Sequence, residues 1–162
     1  MDIEDRSVRG ILEVFFRVVT KIASRDRIPM EYGTGGRLYM GEIHTVEAIG
    51  RNGGINVTGL AGKMGITKGA VSQMTARLLK KGLIKKTKRS VSGNEVVLEL
   101  SRKGRVAFRA HEKFHLEMYT DIFSGLNEEQ LGFLQKVLSK TDRHLDASMA
   151  GLNKKRRGAG RV

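Results

Sequence analysis

The stretch Ile55–Leu83, INVTGLAGKMGITKGAVSQMTARLLKKGL, restricts the possible folds more than any other part of this chain. Its pattern predicts two short helices joined by a tight turn. Thr58 is placed to cap the first helix and Thr67 the second, because a hydroxyl can accept the unpaired N–H groups of a first turn. Gly65 lies between them, where the turn needs a positive φ. Ile66, Val71, Met74 and Leu78 recur at helical spacing, facing Leu60, Ala61 and Met64 of the first helix. Lys68, Gly69, Ser72, Gln73 and Ala76 remain on the other side. A small, polar, basic helix face suits close approach to a major groove, where hydrogen-bond donors read base edges. An ordinary helical hairpin with a solvated face has the same pattern.

Charge separates these readings. The net charge is +13 over 162 residues. Residues 51–110 hold 14 Lys/Arg against 2 Asp/Glu, residues 1–50 hold 7 against 8, and residues 111–150 hold 4 against 7. The last twelve residues, GLNKKRRGAGRV, hold 5 Lys/Arg and no acid. A basic centre between near-neutral flanks argues for a polyanionic partner. No apolar run is long enough to span a bilayer and no N-terminal apolar signal region is present, so a cytoplasmic protein without a membrane partner is expected. The chain has no cysteine, which excludes disulfides, Cys-ligated zinc and a thiol switch.

Around the central pair, Val8, Ile11, Leu12, Phe15, Val18, Val19 and Ile22 recur at three-to-four spacing. They predict an amphipathic helix over 7–25 with Ser7 as cap, and Val14 and Phe16 widen its apolar surface beyond one stripe. The Gly-rich segment EYGTGGRLYMG, residues 31–41, cannot be helix throughout. A second helix is predicted from Glu42 to about Gly50 with Ile43, Val46 and Ile49 inward. Past Gly82, strands over 83–87 and 95–100 enclose KRSVSGN, forming a hairpin whose Lys85, Lys86, Lys88 and Arg89 can reach a duplex backbone or minor groove. Ser101 caps a long helix to about Ser124. Asn127 and Gln130 have the form of a capping box for a last helix to about Ala150. The tail, 151–162, is expected to be disordered. Surplus apolar surface on the terminal helices is best buried against a second copy, which would place two reading helices one DNA turn apart.

His111 and His115 stand at i and i+4 on the long helix, the spacing of a two-His metal clamp. They are in line with Phe108, Met118 and Ile122. The alternative is a pair of core histidines bonded to Glu47 or Glu112.

The order helix, helix, helix-turn-helix, wing and two long helices resembles the MarR family of winged helix-turn-helix transcriptional regulators. The segments that carry it are EIHTVEAIG, NVTGLAGKMGITKGAVSQMTARLLKKGLIKK and VVLELSRKGR. The resemblance implies a mainly α fold with a small β-hairpin. It divides the chain into an N-terminal dimerisation helix and Gly-rich loop (1–40), a winged helix-turn-helix DNA-binding domain (41–101), C-terminal dimerisation helices (102–150) and the basic tail. It also implies a homodimer on double-stranded DNA at a pseudo-palindromic operator, acting as a repressor tuned by an effector. The DNA contacts implied are Thr67, Lys68, Gly69, Ser72, Gln73 and Arg77 from the reading helix, with a structural ion pair as the alternative role for Arg77. Lys86, Lys88 and Arg89 follow from the wing, although its tip lacks the family's D-x-R-x-x-R run. The zinc-sensing branch places one His early in the second helix, an i, i+4 pair in the fifth and an acid after the first. His44, His111, His115 and Asp26 match, with Glu31 in reserve.

The expected function is therefore a sequence-specific DNA-binding regulator with a zinc-like divalent metal as effector. A small aromatic or anionic effector, or a sequence-neutral architectural role, is the alternative. A metallohydrolase on the three histidines lacks a nucleophile and an acid–base pair, so the chain is not read as an enzyme.

Overall fold

A computed structural model of the protein describes residues 6–89 and 95–159, with side chains over 8–88 and 95–151. Two compact units meet within the fifth helix, the first ending at His115 and the second beginning at Leu116. The elements run α1 (Arg6–Arg25), β1 (Met30–Glu31), β2 (Arg37–Leu38), α2 (Met40–Arg51), α3 (Val57–Met64), α4 (Lys68–Lys80), β3 (Ile84–Arg89), β4 (Glu95–Leu100), α5 (Arg102–Phe123) and α6 (Glu128–Ala159). The mainly α winged helix-turn-helix anticipated from the sequence is present.

The Gly-rich segment forms a two-strand turn. Met30 pairs with Leu38 and Glu31 with Arg37. The Glu31 carboxylate accepts the N–H groups of Gly33 (2.7 Å), Thr34 (2.5 Å) and Gly35 (2.9 Å). These bonds favour the ionised form and hold its pKa below the usual value. Helix α2 starts two residues before the expected Glu42. The carboxylate of Glu42 reaches back to the Tyr39 N–H at 3.0 Å, which makes Glu42 the third helical residue rather than the first.

In the central pair, Asn56 caps α3: its side chain accepts from the Gly59 N–H at 2.7 Å. Thr58, expected in that role, lies exposed inside the helix. An amide oxygen caps as well as a hydroxyl, so the earlier residue wins. Thr67 caps α4, accepting from the Ala70 N–H at 3.2 Å, and Gly65 turns the chain between the helices at φ +64°. Val71 and Leu78 are buried against Leu60 and Ala61. Ile66, by contrast, is exposed, and buried Thr75 takes inward space while donating to the Ser72 carbonyl at 3.1 Å. Ile43, Val46 and Ile49 of α2 complete the same core with Leu83, Leu98 and Ala107. Each such aliphatic burial stabilises the fold by roughly 1.5–3 kcal/mol.

Strand β3 begins one residue late, because Leu83 N–H still closes the α4 exit on the Leu78 carbonyl (3.0 Å). Its antiparallel register with β4 runs from Ile84↔Leu100 to Arg89↔Glu95. Ile55 adds a bridge to Leu98. The expected tip, 90–94, lies outside the described residues, as does the side chain of Ser7.

Ser101 holds the start of α5. Its hydroxyl accepts from the Gly104 N–H at 3.0 Å and donates to the Gly82 carbonyl at 2.6 Å. Gly104 packs so tightly on this junction that an added Cβ would overlap the Leu83 carbonyl oxygen. In the second unit, Asn127 and Gln130 form the anticipated reciprocal cap, both bonds at 2.9 Å. Helix α6 continues to Ala159, past the boundary at 150 read from the sequence. Among the described residues no helix is long and apolar enough to cross a membrane.

Candidate functional site

Helix α4 presents two unlike faces. Val71, Thr75 and Leu78 point into the core. Thr67, Lys68, Gly69, Ser72, Gln73, Ala76 and Arg77 are all exposed. Side chains four residues apart share a face, so Lys68, Ser72 and Ala76 make one row and Gly69, Gln73 and Arg77 the next. Gly69 and Ala76 keep the surface low, while Lys68, Ser72, Gln73 and Arg77 supply donors. Arg77 forms no ion pair among the described residues, so the structural role weighed for it from sequence finds no support. On the wing, Lys86 and Lys88 are exposed. Lys85 is engaged by Glu99 at 3.1 Å. Arg89 closes the β3 register opposite Glu95, and its side chain lies outside the described residues.

The three histidines singled out by spacing come together. His44 on α2 and His111 and His115 on α5 form one cluster with Glu47, all four ligand atoms within 4.8 Å of one another. The rings of His111 and His115 lie 4.3 Å apart, and that of His44 lies 5.4 Å from His111. His115 Nε2 is 3.1 Å from His111 Nε2, and Glu47 Oε2 is 3.3 Å from His111 Nε2. Asp26, expected as the acidic member, is exposed and is not in this group. Glu31, in reserve, has its carboxylate committed to its own loop. Glu47 supplies the carboxylate instead. It sits three residues after His44, so the i, i+3 spacing on α2 carried the signal. Arg51 holds the other oxygen of Glu47 at 2.9 Å.

His111 is wholly buried beside Tyr32, whose ring meets it edge-on at 5.5 Å. Burial, then the neighbouring His115, pushes the His111 pKa down to about 4, against the opposing pull of Glu47. Burial also lowers His115. Both rings are therefore neutral near pH 7, the state in which imidazole ligates metals. Ligand atoms 2.0–2.1 Å from a tetrahedral zinc lie about 3.3 Å apart. The 3.1 and 3.3 Å separations fit that figure. His44 is exposed and leaves a way in. His111, His115 and Glu47 stand at such separations, and His44 lies within 4.8 Å of them, a donor set that could hold a divalent ion.

Comparison with known proteins agrees with this architecture. Residues 38–96, from β2 into β4, match the model of the MarR family. The uncharacterized HTH-type transcriptional regulator YhjH of Bacillus subtilis (strain 168) is 31% identical over 114 residues, 68% of this chain and 65% of that protein. The chain thus spans just under two thirds of the length of this curated relative. Among solved structures, FabT of Streptococcus pneumoniae in complex with DNA superposes with a TM-score of 0.67 at 27% identity, covering 88% of this chain and 97% of FabT. ZitR of Lactococcus lactis, a zinc-responsive MarR family member also solved with DNA, shares the fold at TM-score 0.65 and 19% identity, over 86% of this chain and 99% of that one. The fold is that of a winged helix-turn-helix protein. Within that class, the chain is similar to the MarR family, whose model its residues 38–96 match.

Proposed function

We propose that the protein is a homodimeric transcriptional regulator, a repressor, that binds a pseudo-palindromic double-stranded DNA site and performs no catalysis. The observation that carries this reading is the exposed face of α4, Thr67 to Arg77, capped by Thr67 and backed by a closed core. Lys68, Ser72, Gln73 and Arg77 would read base edges in the major groove, with Gly69 permitting close approach. Lys86, Lys88 and Arg89 of the wing would contact the backbone, a term that supplies affinity and salt dependence without sequence choice. FabT, with the same fold, is solved on DNA. Dimerisation is supported by the apolar residues that α1 leaves in water: Ile11, Leu12, Val14, Phe15, Phe16, Val18, Val19 and Ile22 are each at least 38% exposed. In the second unit Leu131, Phe133, Val137, Leu138, Leu145 and Met149 are exposed as well.

The effector in this reading is a divalent metal of the zinc class at His44, Glu47, His111 and His115. A metal there would supply charge and a fixed link between α2, which packs against the reading pair, and α5. The chain's residues do the rest: burial favours the unprotonated imidazoles of His111 and His115, and Arg51 orients Glu47. The test is a competition between a palindromic promoter duplex and random DNA, with and without chelator. A preference of about a thousandfold or more for one duplex supports a sequence-specific regulator; equal affinity leaves an architectural binder. Zinc in the purified protein, with DNA affinity that changes on chelation and ceases to change in His111→Ala, supports the metal. No metal and no chelator effect would remove it while leaving the DNA reading in place.

A further inference from the structure

A second site lies at the opposite end of α4 from its DNA-reading turn. A cleft of about 240 Å³ opens between the β1–β2 turn, the exit of α4 and the first turn of α5. Thr34 and Arg37 form one wall, Lys81 and Lys103 the other, and buried Leu38 and Leu83 the floor. Three cationic residues thus line one small cleft. Only Lys81 has an acidic partner among the described residues: its ammonium meets Glu42 at 2.7 Å and also donates to the Arg37 carbonyl at 3.2 Å. Neither Arg37 nor Lys103 forms an ion pair there.

The same place breaks a local rule of helix design. The first turn of α5 carries Arg102 and Lys103 and no acid. Positive side chains at the positive end of a helix dipole cost stability unless an anion joins them. Breaches of this kind gather at functional sites. The walls are also fixed in advance. Glu31 gathers three N–H groups of the turn that carries Thr34, and Ser101 ties α5 to the Gly82 carbonyl.

We propose that this cleft binds a small phosphate-bearing metabolite, its phosphate held by Arg37, Lys103 and Lys81, with Thr34 as an added donor. A DNA phosphate is the other source of that group. The geometry disfavours it: Lys81 lies past the end of the reading face, about 20 Å along the helix axis from Lys68 and about 6 Å beyond Arg77. The apolar floor of Leu38 and Leu83 also suits a carbon-bearing ligand better than a bare backbone phosphate. Because Lys81 closes α4, an occupant would bear directly on the reading helix. This site is independent of the metal cluster and of whether DNA is bound sequence-specifically.

The test uses the full chain with phenyl phosphate, inorganic phosphate and benzoate as probes at constant ionic strength, followed by calorimetry. Phenyl phosphate should bind saturably at one site per protomer, inorganic phosphate more weakly, and benzoate weakest. Arg37→Gln and Lys103→Gln, both exposed positions, should each lower phenyl phosphate affinity at least tenfold. Lys140→Gln on α6, which removes the same charge elsewhere, should not. Thermal unfolding of each variant without ligand confirms that it folds. In a parallel duplex titration, Arg37→Gln and Lys103→Gln should retain wild-type affinity. Absence of saturable binding, or equal losses in Lys140→Gln, overturns the site. Intact phenyl phosphate binding in both cleft variants overturns it as well. Tenfold losses for the duplex alone would reassign the cleft to the DNA backbone and overturn the metabolite.

Discussion

Mild acid should destabilise this protein through His111. The side chain is 1% exposed, and burial pushes its pKa from the ordinary 6.5 to about 4. In the unfolded chain the ring takes up a proton near pH 6.5; in the folded protein it waits until about pH 4. Between those values the unfolded state binds more protons, so stability rises with pH. The contribution is complete above the unfolded pKa and is lost as pH falls towards the folded one. The gap corresponds to about 3 kcal/mol at its full extent and about 2 kcal/mol at pH 5. The measurement is urea unfolding followed by circular dichroism, at fixed protein concentration with chelator present, from pH 7.5 to pH 5. Wild type should lose about 2 kcal/mol more over that span than His111→Gln, which cannot titrate there. His115 is also lowered and remains in both proteins, so the difference in slope reads the His111 titration together with its coupling to His115. The absolute stability of the variant does not matter, since only the difference in slope is read. Parallel curves would show that burial of His111 does not govern its protonation, and the account of a neutral, ligation-ready cluster would fail with it.

Three further outcomes follow from the packing. Gly104→Ala sets a methyl group against the Leu83 carbonyl, which already accepts the Ser101 N–H at 3.0 Å. Overpacking plus a broken buried bond should cost about 2–5 kcal/mol, a fall in Tm of roughly 5–15 °C; a fall under about 2 °C would mean the junction yields freely. Asn56→Ala should cost about 1 kcal/mol and Thr58→Ala under about 0.5 kcal/mol in thermal unfolding, and the reverse order would contradict the cap seen here. Phe16→Glu, at a position 63% exposed in one chain, should halve the mass seen in sedimentation at micromolar concentration, whereas an unchanged mass would place the subunit contact elsewhere.

Much of this architecture could be read from the residues. Local signals were reliable where one residue type has one physical use. Gly65 and Thr67 bounded the turn, Ser101 and the Asn127–Gln130 pair began helices, and Ile43, Val46 and Ile49 pointed inward. The errors arose where two residues competed for one role. Asn56 and Thr58 are both able to cap; Ile66, read as inward, precedes the Thr67 cap of α4 and is exposed, while Thr75 is buried with its hydroxyl on the Ser72 carbonyl. The i, i+4 histidines and His44 were visible as spacing, and Glu47 was visible as a hydrogen-bond partner for them, though not as the acidic member of a metal site. The resemblance to the zinc-sensing branch suggested one acid, Asp26, and the structure groups another, Glu47, with the histidines. The basic cleft had no sequence signature, because Arg37, Lys81 and Lys103 come from three separate elements.

The hydroxyl of Ser101 makes a pivot. It binds the first turn of α5 to the carbonyl that ends the reading helix, and no slack remains beside Gly104. Ten residues further along α5, His111 lies about 15 Å from that hinge. On a rigid arm of that length, a displacement of 1 Å at the histidines corresponds to a tilt of about 4° at the hinge, by the rise of an α-helix alone. A change of one bond length where the imidazoles meet is thus geared down to a small, stiff rotation at the foot of α4.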